Sequence, residues 1–76
     1  MRELVEFLVR ALVEQPDKVE VEEFEEDGDP VLEVSVAEDD LGRVIGRDGR
    51  IANAIRTVAR AAGARDDRRV IVDILD

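Results

Sequence analysis

Residues 2–14, RELVEFLVRALVE, repeat apolar side chains at helical spacing. Leu4, Leu8 and Leu12 form one stripe, Val5, Val9 and Val13 lie beside it, and Phe7 and Ala11 widen the arc. Only Glu3, Glu6, Arg10 and Glu14 mark a polar face, so this helix either is deeply buried or turns part of its apolar surface toward a second chain. Pro16 ends it, because a residue before proline is pushed out of helical geometry. In KVEVEEFE, 18–25, Val19 and Val21 alternate with charged residues and predict a strand. Phe24 falls out of phase, which predicts a bulge or a strand end. Asp27-Gly28 predicts a hairpin turn into a second strand, 31–37, with Leu32, Val34 and Val36 on one face.

Residues 38–45, EDDLGRVI, predict a short helix with acids suited to its N-terminal dipole. Gly46-Arg47-Asp48-Gly49 interrupts it, and a longer helix is predicted over 50–62. Ile51, Ala52, Ile55, Val58, Ala59 and Ala62 share one of its faces, and Arg50, Asn53, Arg56, Thr57 and Arg60 share the other. Gly63 is placed to close the helix with a left-handed cap. VIVDIL, 70–75, predicts a last strand that buries Val70, Val72 and Ile74 and leaves Ile71 and Leu75 for the opposite face. The order α-β-β-α-α-β predicts an α+β fold in one domain, 1–76. Its last strand runs parallel to the second through a right-handed crossover, in a three-stranded mixed sheet with helices on one face.

The chain has neither cysteine nor histidine, so its stability rests on an apolar core or on pairing with another chain. No apolar run is long enough to span a membrane, and acids stand where a signal peptide needs bases, so a reducing cytoplasm is the expected setting. Charge divides the chain unevenly. Residues 1–41 hold 15 acids and 3 bases, whereas residues 42–69 hold 8 arginines and 3 acids, within a net charge of −9. A chain so divided presents one basic face to a polyanion and repels it elsewhere; alternatively, the asymmetry only solubilises a small domain.

The basic segment centres on VIGRDGRIANAIR, 44–56. Gly46 and Gly49 allow a sharp turn and a close backbone approach, and Gly49 stands where the long helix begins and its free N–H groups favour an anion. Arg47 and Arg50 add charge from the flanks. The glycines at 42, 46 and 49 lack the spacing of a dinucleotide-binding loop, and no Gly-Lys-Ser/Thr tripeptide marks a P-loop.

This stretch resembles the KH signature, an apolar pair followed by G-x-x-G between two helices. The element order matches the type II arrangement, and nearly the whole chain resembles the small bacterial KH-domain RNA-binding proteins of the KhpA type. That resemblance implies a clamp for the backbone of single-stranded RNA, or of single-stranded DNA, formed by Gly46, Arg47, Asp48 and Gly49. It implies an apolar groove from Val44 and Ile45 with Ile51 or Ala52, a far wall from the second strand around Val34 and Val36, and a bordering loop that brings Arg65, Arg68 and Arg69 near the nucleic acid. Asp48 departs from the pattern, since a carboxylate sits in the middle of the cradle, and Ala52 is smaller than the isoleucine common there. The resemblance further implies an RNA chaperone or post-transcriptional regulator, a homodimer, a larger KhpB-type partner and a link to cell-shape and cell-wall homeostasis.

Catalysis has little to work with: Ser35 and Thr57 lack a histidine or cysteine partner, and the acidic runs EVEEFEED and EDD read as solvated surface. No spaced ligand set converges on Asp39-Asp40, and no cofactor is implied. The competing reading is an assembly module whose apolar first helix and last strand pair with a second chain.

Overall fold

The computed structural model describes residues 1–76. Valines, not leucines, carry the first helix, α1 (Arg2–Leu12), into the core: Val5 and Val9 have no exposed surface, while Leu12 is 37% exposed and Leu4 and Leu8 are half-buried at the rim. The helix stops at Leu12, earlier than the apolar pattern suggests. Val13 is already extended, at φ −98°, ψ 162°, and Pro16–Lys18 forms a single 3-10 turn.

Strands β1 (Glu20–Glu26) and β2 (Asp29–Ser35) pair antiparallel in unbroken register from Glu20↔Ser35 to Glu26↔Asp29. Phe24 therefore marks neither a bulge nor a strand end. The period of two that turns Val21 inward turns Phe24 outward, into a row with Val31 and Ile71 on the outer face of the sheet. Asp27 and Gly28 both take positive φ, 53° and 85°, which is the requirement of a tight two-residue hairpin turn. β2 begins two residues earlier than expected because Pro30 pairs only with β1; pairing with β3 starts at Val31, so the missing N–H costs no ladder bond there.

Strand β3 (Ile71–Ile74) lies parallel to β2, giving the order β1-β2-β3. β2 is thus central and β3 has an open edge. The inner face of the sheet meets α1, α2 (Leu41–Ile45) and α3 (Arg50–Ala64) in one core of Val5, Val9, Val19, Val21, Leu32, Val34, Val44, Ile55, Ala59, Val70 and Val72. The alternation expected of β3 holds: Val70 and Val72 are buried, and Ile71 and Leu75 are exposed.

Three expectations are corrected. Val58 is 42% exposed, since the buried face of α3 centres on Ala52, Ile55, Ala59 and Gly63. Gly63 is not a left-handed cap, because α3 continues through it to Ala64 and the left-handed residue of the following turn is Asp67, at φ 56°. Gly63 is needed for proximity: a Cβ there would lie 2.5 Å from Val70 Cγ2 and 2.9 Å from the Arg68 carbonyl oxygen. Nor is the run 38–40 all solvated surface. It forms a 3-10 turn before α2, and Asp40 is 1% exposed. Its carboxylate accepts the N–H groups of Glu14 and Gln15, each at 3.0 Å, and Arg43 Nη1 at 3.1 Å, so it ties the exit of α1 to the start of α2. The hydrogen bond from the Glu14 N–H, joined by those of Gln15 and Arg43, holds its carboxyl below the ordinary carboxylate range despite burial.

Candidate nucleic-acid interface

The corner between α2 and α3 is built from three residues with positive φ. Gly46, at φ 76° and ψ 173°, occupies a backbone region that is essentially glycine-only. Its missing Cβ also makes room for Ile51, whose Cγ1 would stand 2.6 Å away. Asp48 and Gly49 follow in left-handed geometry, at φ 57° and 75°. Aspartate is among the few residues that visit this region routinely, which gives the carboxylate a conformational reason to be there. The Gly49 N–H closes the turn onto the Gly46 carbonyl at 3.2 Å.

α3 then begins with no side-chain cap; the Arg50 N–H is taken by the Arg47 carbonyl in the preceding 3-10 turn, and Arg47 and Arg50 are exposed and make no ion pair or side-chain hydrogen bond. A helix of this length, uncapped and flanked by two free guanidiniums, favours an anion at that end.

The structure brings together Ile45, Gly46, Arg47, Asp48, Gly49, Arg50 and Ile51 at this corner, with Ile45 and Ile51 half-buried. Val44 and Ala52 are 0% and 4% exposed, so their side chains pack inward and are not free to line a groove. Val34 has no exposed surface, and β2 is paired on both sides, so its strand has no free edge to offer; its carbonyl already accepts the Leu75 N–H. Val36 lies just past the end of β2, half-buried against the core. The free edge belongs to β3. Backbone groups alternate sides along a strand; Leu75 bonds toward β2, so Val72 and Ile74 face outward. Arg65 and Arg68 are exposed in the turn after α3.

The sequence pattern puts Arg56 and Arg60 on the outward face of the long helix with no individual role. Gly49, Asn53, Arg56 and Arg60 recur at steps of four, three and four, the signal of one helix flank. That flank faces the open edge of β3: Arg56 Nε donates to the Val72 carbonyl and its Nη1 to Asn53 Oδ1, both at 3.2 Å. No three carboxylates converge to hold a metal ion.

An α-β-β-α-α-β chain with a parallel final strand and a G-x-x-G corner between its second and third helices is a type II KH domain. The model of the KhpA/KhpB KH domain matches residues 2–74, and the chain belongs to that family. It is similar to the RNA-binding protein KhpA of Caldanaerobacter subterraneus, 48% identical over 99% of this chain and all of the relative. It is likewise similar to the KhpA proteins of Clostridium acetobutylicum, 45% identical over 99% of this chain and all of the relative, and Halalkalibacterium halodurans, 46% identical over the full length of both. No solved structure gives a significant match.

Proposed function

We propose that this chain binds single-stranded RNA, its Gly46–Gly49 corner clamping the sugar-phosphate backbone. Bases would lie between the half-buried Ile45 and Ile51 and the open edge of β3. The observation that carries the reading is the uncapped start of α3, framed by Arg47 and Arg50 at a corner whose glycines admit another backbone. Family membership supports RNA as the ligand, because the named relatives are RNA-binding proteins. The reading is of a binding protein and not an enzyme, acting in the cytoplasm as an RNA chaperone or post-transcriptional regulator with a KhpB-type partner in cell-shape and cell-wall homeostasis.

NMR titration with short single-stranded RNA and matched DNA, at low and moderate salt, is the test. Shifts are expected at 43–56 and along 70–75. Gly49→Asp sharpens it, because only Asn53 Nδ2, at 4.0 Å, approaches a Cβ at Gly49, and aspartate tolerates the left-handed geometry. The variant folds and loses RNA affinity; the same allele in a host cell alters cell shape. Unchanged affinity in a folded Gly49→Asp protein sinks the clamp.

A second reading rests on α1. Phe7 is 70% exposed, beside half-buried Leu4 and Leu8 and exposed Ala11, on a side of the helix that this chain leaves uncovered. We infer that a second copy covers it in a homodimer. If RNA produces no shifts even at low salt, assembly through this surface becomes the leading function.

A further inference from the structure

Arg56 and Arg60 on α3 and Arg68 and Arg69 on the returning loop line one open cleft of about 340 Å³, floored by Val70, Ile71 and Val72. Arg60 and Arg69 make no ion pair or hydrogen bond with the protein. Arg68 has only Glu25, at 3.9 Å, and Arg56 is held by the neutral groups of Val72 and Asn53. Four like charges on one small cleft repel one another, and an anion in the cleft relieves that repulsion.

The cleft is not the corner. Arg60 lies ten residues along α3 from Arg50, a rise of about 15 Å. The two are joined by the helix flank of Gly49, Asn53, Arg56 and Arg60, which meets the open edge of β3 at Arg56 and Val72.

We propose that this cleft is a second phosphate-binding subsite, which takes a backbone phosphate of the same strand beyond the stretch held at the Gly46–Gly49 corner. The inference rests on the RNA-binding reading and deepens it. A KH corner holds about four nucleotides, so a tetranucleotide occupies the corner alone and a strand twice as long reaches the arginines. Guanidinium suits the task, since its planar fork bonds two phosphate oxygens at once. The continuous flank favours a strand phosphate over a free polyphosphate, which needs no path from the corner.

The test compares fluorescence anisotropy of RNA tetramers and octamers on the wild type and on Arg60→Gln/Arg69→Gln, whose side chains are exposed and bear no fold contact. The wild type is expected to bind the octamer more tightly. The variant is expected to bind the tetramer unchanged and to lose about fivefold on the octamer at 0.1 M salt, with a salt slope smaller by about 0.7, the contribution of one neutralised phosphate on a single strand. Equal octamer binding by the two proteins overturns the proposal.

NMR titration with pyrophosphate separates this outcome from failure of the RNA reading itself. If the wild type binds no RNA, shifts at Arg60 and at 68–72 still support a phosphate subsite, and their absence overturns it. Pyrophosphate shifts that the variant abolishes while octamer affinity stays wild-type assign the cleft to a free polyphosphate and overturn the strand assignment.

Discussion

Alanine at Gly46 and alanine at Gly49 are the same change three residues apart, with different expected costs. At Gly46 two costs add. The backbone sits at φ 76°, ψ 173°, where a side chain costs about 1–3 kcal/mol. The new Cβ also meets Ile51 Cγ1 at 2.6 Å and its Cβ at 2.9 Å, and overpacking of this kind costs about 1–3 kcal/mol more. At Gly49 only left-handed geometry is violated, at about 1–2 kcal/mol, because the space beside it is open. A domain of this size loses about 4–8 °C of melting temperature per kcal/mol. Gly46→Ala is therefore expected to melt at least ~8 °C below the wild type, and below Gly49→Ala, read by circular dichroism in heat and urea. Ile51→Ala in the Gly46→Ala background removes the Cγ1 clash, so the two losses combine less than additively. Equal melting of the two alanine variants, or strict additivity with Ile51→Ala, refutes the reasoning.

Asp40→Asn keeps the shape of the side chain but removes the negative charge that the Glu14 and Gln15 N–H groups and Arg43 share, so the variant is less stable at neutral pH. The folded-state pKa of Asp40 is lowered, so its contribution is full above the unfolded value of about 3.9 and is lost as pH falls through that value toward the folded one. The gap between the urea midpoints of the two proteins is expected to shrink as pH falls below the unfolded value of about 3.9, and a gap independent of pH contradicts the assignment. Phe7→Glu places a charge on the most exposed large apolar side chain. Sedimentation is expected to show the wild type above 8.5 kDa at high micromolar concentration and the variant at 8.5 kDa; a wild type that stays at 8.5 kDa removes the dimer.

Local signals were legible where the chemistry is local. Asp27-Gly28 announced the hairpin because only a few residues take positive φ cheaply. The glycines of the corner announced a turn for the same reason. Periodicity alone did not say which stripe of α1 faces inward, since leucines and valines sit side by side and only the sheet beneath selects the valines. Asp40 was opaque: nothing near it separates it from exposed Asp39, and the N–H groups it accepts lie 25 and 26 residues away. The groove wall assigned to β2 was avoidable. A hairpin followed by a strand parallel to its second member makes that member central and leaves the free edge to β3. The 4-3-4 spacing of Gly49, Asn53, Arg56 and Arg60 was present in the sequence too, and it gains meaning once β3 is seen to lie beside it.

Topology also reconciles a net charge of −9 with a face for a polyanion. Glu20, Glu22, Glu26 and Glu33 alternate onto the outer face of the sheet, opposite the side that carries the helices. Arg43 is the arginine of the basic segment taken up at the α1–α2 junction, paired with Glu14 and Asp40. Arg47, Arg50, Arg56, Arg60, Arg65 and Arg69 remain without a carboxylate partner. The molecule measures 34 × 22 × 18 Å, and screening at physiological salt acts over about 8 Å. A strand lying along α3 therefore feels the nearby arginines strongly and most of the acids weakly, with Asp48 in the corner, Asp66 and Asp67 in the turn after α3 and Glu25 beside Arg68 as exceptions. At low salt the whole negative charge acts, and it opposes approach from every direction but this one. On the proposed RNA-binding reading, the acids govern which surface a nucleic acid reaches, and the arginines govern how firmly that surface holds it.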